Sequence, residues 1–212
     1  MACSPDDGFP MLDQILTELA AMRWLEGIGL VSGLLCVWLL IRQNIWTWPI
    51  GLLYALVSVM VFYRARLYAD LALHVFYVGM NAYGWYYWMR GNRPADEQAL
   101  PVTHIGTRTA TWLGVVVLLG TLVTAQLLIR HTDADLPYWD STTTTFSFAA
   151  MWMTARKQIE NWYVWLFVDV LATGIYLYKG LDFYALLYCV YIGMAFAGWW
   201  AWRQSMLVAQ PA

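Results

Sequence analysis

The chain has 212 residues, 61% of them hydrophobic and 12% charged, against about 25% charged in an ordinary soluble domain, so its solvent is a lipid bilayer. The basic residues number 12 and the acidic 14, for a formal net charge of -2; no basic run is long enough to track a phosphate backbone, which excludes nucleic acid as a partner. Cys3, Cys36 and Cys189 lie far apart without paired spacing, so neither a disulfide nor a metal site is expected, and no cofactor is implied.

The N-terminal tail, 1–23, is acidic and lacks the basic region, apolar core and small-residue cleavage site of a signal peptide. Within it, Phe9–Met22 sets Leu12, Ile15, Leu16 and Leu19 on one face, the pattern of a short helix lying on a membrane surface. A membrane helix needs roughly 20 mainly apolar residues. The charges bracket seven such blocks: Trp24–Arg42, Ile45–Tyr63, Leu71–Met89, Thr111–Ile129, Ser141–Ala155 with its flanks, Trp162–Tyr178 and Phe183–Trp202. Tryptophan and tyrosine crowd their ends, as in WTWP and GWYYW, which suits rings at the headgroup level. Blocks such as GVVVLLGTLV do not alternate with a period of two, so a β-barrel is excluded. The fold class is all-α: an integral membrane protein with seven transmembrane helices.

Sliding the chain on itself by 114 positions places Glu26 and Arg42 on Asp140 and Arg156, and Trp48 on Trp162. The same shift sets Tyr77-Val-Gly-Met80 on Tyr191-Ile-Gly-Met194, Gly84-Trp85 on Gly198-Trp199, and Trp88 on Trp202. Spans one to three therefore repeat as spans five to seven, with span four as connector. Three helices reverse direction and a fourth restores it, so the two bundles point the same way in a 3+1+3 parallel-repeat arrangement. The chain divides into a tail (1–23), a three-helix bundle (24–90), a loop (91–110), a connector helix (111–130), a second bundle (137–204) and a tail (205–212).

Residues common to both halves read as scaffold: Gly79 and Gly193 for close helix approach, and the Gly-Trp pairs for packing and anchoring. Residues that break the symmetry are candidates for chemistry. In the stretch ENWYVWLFVDV, Trp165 falls opposite Gly51 and Asp169 opposite Ala55. At about 100° per residue, Trp162 and Asp169 lie within roughly 20° of each other and Trp165 about 60° from Trp162, on one helix face. A carboxylate at mid-span costs on the order of 2.5–3.5 kcal/mol to insert, and no lysine or arginine shares its depth. One reading has Asp169 protonated or hydrogen-bonded inside the bundle, facing a hydroxyl such as Thr142–Thr145 or Thr173. The sharper one turns it into a watery pocket, where indole faces and a carboxylate suit a flat cationic ligand.

Other polar groups within spans are His74, Asn81 and Gln126. His74 reads as a hydrogen-bonded interior residue rather than a metal ligand. Gln126 either reaches the pocket or pins the connector. Tyr77, Tyr188 and Tyr191 offer hydroxyls to a sugar or simply pack. The expected substrate-binding set is Trp162, Trp165, Asp169, Asn161, Trp48, Asn81, Gln126 and Tyr188. A retinal protein needs a lysine deep in its last helix, but Lys157 and Lys179 flank span six. GxxxxGK[ST], GxSxG and HExxH motifs are missing, so neither a nucleotide-driven pump nor an enzyme is supported. A carrier is the class that uses the carboxylate; a receptor or scaffold is the alternative that leaves it unexplained.

The stretches WLEGIGLVSGLLCVWLL (24–40), RLYADLALHVFYVGMNAYGWYYW (66–88), PYWDS (137–141) and TARKQIENWYVWLFVDV (154–170) resemble the PnuC vitamin transporters, the bacterial nicotinamide riboside carriers. The resemblance runs from Trp24 to Trp202. It implies a helix fold related to sugar carriers of the SWEET type, a homotrimer, and facilitated diffusion in the inner membrane with trapping by a cytosolic kinase. It also implies a substrate site built on Trp162, Trp165 and the position four residues on. Many nicotinamide riboside carriers hold asparagine there, whereas this chain has Asp169. Nicotinamide riboside and thiamine both carry a ring cation, so the resemblance implies the first as substrate and thiamine as the alternative. The C-terminal side of the membrane holds seven of the 12 basic residues, which places the C-terminus in the cytoplasm.

Overall fold

The computed structural model describes residues 24–65, 68–90 and 100–208; the surface helix expected at Phe9–Met22 lies outside them. Among these residues the chain forms seven helices: α1 (Trp24–Ile41), α2 (Thr47–Ala65), α3 (Tyr68–Arg90), α4 (Thr107–His131), α5 (Pro137–Ala155), α6 (Asn161–Tyr178) and α7 (Asp182–Val208). Each apolar block became one helix, because only an intrasegment ladder satisfies backbone polar groups without water. The ends follow other physics. α5 opens at Pro137 rather than Ser141, since proline loses nothing where the first N–H groups have no partner. α4 begins at Thr107, ahead of its apolar block, and α7 continues into the expected tail as far as Val208. By length and apolarity alone α2, α4 and α7 are able to cross a membrane. α1 is apolar over the shorter stretch Gly27–Ile41, and α3, α5 and α6 mix in polar residues, among them His74 and Asn81 in α3, Thr142–Thr145 in α5 and Asp169 in α6.

α1 packs on α2, α2 on α3, α3 on α5, α5 on α6, α6 on α7 and α7 on α1, closing a ring of six; α4 packs on α5 alone. Trp202 Nε1 donates to the Leu40 carbonyl at 3.0 Å, and Arg156 donates to the Tyr83 hydroxyl at 3.1 Å. The C-terminal ends of α1, α3, α5 and α7 therefore lie together. The first turns of α2 and α6 join them, because Trp48 meets Trp88 edge-on (centroids 5.2 Å apart, 81° between planes) and Trp162 meets Trp202 in the same manner (5.4 Å, 87°). Trp88 and Trp202 touch across the ring at 6.3 Å. These four indoles fill one end of the ring, called here the tryptophan end.

Two glycines make this filling possible. A Cβ added at Gly84 would overlap the Trp48 ring, and one at Gly198 would overlap the Trp162 ring. Gly79 and Gly193 do not serve the close approach expected of them, since a Cβ there meets nothing within 4 Å. Glycine content in a span does not reveal which way the residue faces.

The α1–α2 and α5–α6 turns share one backbone plan. Gln43 and Lys157 both adopt left-handed φ, 53° and 58°. Gln43 N–H donates to Leu40 and Asn44 N–H to Leu39, both at 2.9 Å; Lys157 N–H donates to Thr154 and Gln158 N–H to Met153, both at 3.0 Å. Each pair of positions is separated by 114 residues. The second turn alone is belted by residues 100–105. Thr103 exchanges backbone bonds with Lys157 and Ile159 (3.1 and 3.0 Å), and the buried Lys157 ammonium donates to the Leu100 carbonyl. Glu160 holds His104 Nδ1 at 2.7 Å and the Ile105 N–H at 3.0 Å.

Candidate functional site

Halfway through the ring the packing becomes polar. Asp169 is the ninth residue of α6, about 12 Å along the axis from Asn161, and is only 7% exposed. It lies within electrostatic reach of Tyr77 on α3 and of Tyr188 and Tyr191 on α7. Ser147 of α5 lies beside the Tyr77 side chain. A Cβ added at Gly33 of α1 would stand 3.0 Å from the Tyr191 hydroxyl and 3.4 Å from the Tyr54 ring of α2. All six ring helices thus contribute to one mid-depth cluster. His74 borders it, with Nε2 3.5 Å from the Tyr54 hydroxyl and its ring packed among Tyr54, Phe62 and Tyr77.

Four of the hydroxyls considered as partners for Asp169, those of Thr142, Thr143, Thr145 and Thr173, are engaged elsewhere. Thr173 donates to the backbone carbonyl of Asp169 at 2.8 Å, not to its carboxylate. Thr142 and Thr143 donate to the carbonyls of Tyr138 and Trp139, and Thr145 pairs with Thr121 of α4 at 2.6 Å. Threonine in a helix takes the carbonyl one turn back by default. Among the described residues no donor hydrogen-bonds the Asp169 carboxylate, and α6 carries no lysine or arginine. Without a donor, the Asp169 carboxyl either takes up a proton or is met by water or a ligand.

The expected site residues separate into three places. Asp169, Trp165, Asn81 and Tyr188 belong to the interior. Trp165 lies one turn before Asp169, half-buried, and its Nε1 donates to the Thr154 hydroxyl at 3.1 Å. Asn81 is buried one turn beyond Tyr77, whose carbonyl its Nδ2 reaches at 2.8 Å, and a Cβ on Gly51 would overlap its Oδ1. Trp48, Trp162 and Asn161 lie at the tryptophan end. Asn161 is fully buried and holds the turn, donating to the Gln158 carbonyl while its Oδ1 accepts from Thr154 at 3.3 Å. Asn161 therefore supports Trp165 through a shared threonine. Gln126 is exposed on α4, outside the ring, 3.4 Å from the Tyr138 hydroxyl. Tyr54, Ser147 and Gly33 were missed. Tyr54 stands opposite Val168 at the 114-residue shift, so the symmetry break that singled out Asp169 also marks it.

Residues 23–204 match the family model described as Nicotinamide mononucleotide transporter. The nicotinamide riboside transporter PnuC of Escherichia coli (strain K12) is 28% identical over 208 residues, covering 87% of each chain. The riboflavin/roseoflavin transporter RibM of Streptomyces davaonensis is 28% identical over 186 residues, covering 84% of each. The crystal structure of the vitamin B3 transporter PnuC has the same fold, with a TM-score of 0.72 at 19% identity over 99% of this chain and 95% of that one. Because one family model accounts for residues 23–204 of the 212, the protein belongs to the nicotinamide mononucleotide transporter family, as a PnuC-type membrane vitamin transporter and not an enzyme.

Proposed function

We propose that this chain takes up nicotinamide riboside, an NAD precursor, across the bacterial inner membrane by facilitated diffusion, with a cytosolic kinase trapping the incoming riboside. The observation that carries this reading is Asp169: a buried carboxyl that no donor among the described residues bonds, within electrostatic reach of Tyr77, Tyr188 and Tyr191. The pyridinium ring supplies the missing countercharge and a flat face for Trp165, and the ribose supplies hydroxyls for Tyr77, Tyr188 and Tyr191. Thiamine is the second reading, because it too carries a ring cation and its aminopyrimidine can hydrogen-bond a carboxylate. The neutral ring system of riboflavin leaves Asp169 uncompensated, so the likeness to RibM does not extend to its substrate.

The same proposal takes all seven helices as crossing the bilayer in a 3+1+3 parallel repeat. The recurring turn bonds and the recurring Trp48–Trp88 and Trp162–Trp202 pairs support this. Positive charge at Arg42, Arg90, Arg156, Lys157 and Arg203 supports a cytoplasmic tryptophan end and C-terminus. Assembly as a homotrimer rests on the family resemblance. In alternating access the four indoles are the closed inner gate. Among the described residues the buried Nε1 atoms of Trp48 and Trp162 have no acceptor, a cost of about 1–3 kcal/mol each that weighs against the closed end.

Uptake into proteoliposomes without ATP tests the reading. Labelled nicotinamide riboside is expected to equilibrate across the membrane and Trp165→Ala to abolish its flux, while a changed preference between the two vitamins in Asp169→Asn assigns the carboxylate to substrate choice. Thiamine flux alone establishes the second reading. Binding without flux of either vitamin overturns the carrier and leaves a receptor or scaffold.

A further inference from the structure

A second candidate site lies on the outer face of α6 and α7. A cleft of about 440 Å³ at the tryptophan end is lined by His104, Ile159, Tyr163, Trp199, Arg203, Met206 and Leu207. It adjoins an apolar cleft of about 130 Å³ that runs toward mid-membrane between Leu166, Ala195 and Phe196, with Tyr163 and Trp199 common to both. The two form one groove, wet at the rim and dry below.

Depth decides what fills it. Arg203 lies roughly 31 Å along α7 from Asp182, at about 1.5 Å per residue, which matches a hydrocarbon core of about 30 Å. The rim is therefore at headgroup level, and Phe196 is within the acyl region. The Arg203 guanidinium stacks over the Trp199 ring at 5.2 Å and forms no ion pair among the described residues. Trp199 is fixed in turn by donating Nε1 to the Tyr163 hydroxyl at 2.8 Å. The acidic side chain at this rim, Glu160, is occupied by His104 and the Ile105 amide. A held guanidinium with open donors, one helix turn above an apolar channel, is complementary to a phosphate that carries a hydrocarbon chain.

We propose that this groove binds an anionic phospholipid, its phosphate on Arg203 and one acyl chain along Leu166, Ala195 and Phe196. The chain then lies against the outer side of Trp162, whose other side packs on Gly198 and Trp202. The occupant would buttress one wall of the tryptophan end.

The full chain reconstituted with phosphatidylglycerol and phosphatidylcholine in equal amounts, then released into the gas phase for native mass spectrometry, reads the preference directly. Wild type is expected to retain phosphatidylglycerol several-fold over phosphatidylcholine. Arg203→Gln should abolish that preference and Arg203→Lys keep part of it. Phe196→Trp, which narrows the channel with Arg203 intact, should lower retention of both lipids alike. Glycerol phosphate or inorganic phosphate, added as a competitor, should not displace the lipid, because neither fills the channel. Equal retention of the two lipids by wild type, or an undiminished preference in Arg203→Gln, overturns the proposal. So does protection of Tyr163 and Trp199 by a second copy of the chain in neutral lipid.

Discussion

Asp169 and Ala55, 114 residues apart, are both buried, so the spacing carries over the burial but not the chemistry. Glycine shows the same contrast between position and role. Gly84→Ala and Gly198→Ala each drive a methyl into an indole, and a loss of about 1–3 kcal/mol is expected, visible as a lower melting temperature in detergent. Gly79→Ala and Gly193→Ala, which meet open space, should leave it unchanged or slightly raised, since alanine favours the helix. Asp169 was legible in the sequence because a charge in an apolar run has no cheap explanation. Trp162 was not, because an indole reads alike as interfacial belt, core or binding face. Only its burial against Gly198, with an amide-supported Trp165 one turn away, separates the two tryptophans of the same motif.

Helices were the most legible elements, since seven apolar blocks admit little else in a bilayer; their ends were not. Pro137 and Thr107 extend α5 and α4 into polar sequence for reasons of backbone geometry that hydropathy does not record. The belt formed by 100–105 left no signal, because its bonds run from backbone to backbone and from Lys157 to a carbonyl 57 residues distant in sequence. Glu160→Ala should free the Ile105 amide and speed its hydrogen exchange by tenfold or more, with little change at the Thr103 amide, which bonds Lys157 instead. Lys157→Met keeps the bulk but loses the bond to Leu100, and should destabilise the fold by about 1.5–3 kcal/mol in a denaturant titration.

At the scale of the whole molecule, the 114-residue spacing of the sequence reappears in the two matching turns, but ring closure was not legible, because it depends on which helix faces meet. The two halves are tied at the tryptophan end by Trp202 to Leu40 (3.0 Å) and Gln43 to Ser205 (2.8 Å). If this end is the inner gate, Trp202→Phe should loosen it by about 1 kcal/mol. In a chain carrying Cys3→Ser and Cys189→Ser, a thiol reagent supplied from that side should then alkylate Cys36 several-fold faster; an unaltered rate would remove the gate assignment. The left-handed residues Gln43 and Lys157 complete the picture. Glycine would relieve about 1–2 kcal/mol at each corner, yet both corners carry long polar side chains, one clasping α7 across the ring and the other the belt before α4. The matching elbows thus wear different hooks, so if the first corner is the one that opens, the second stays fastened, one a swinging leaf and the other a fixed jamb.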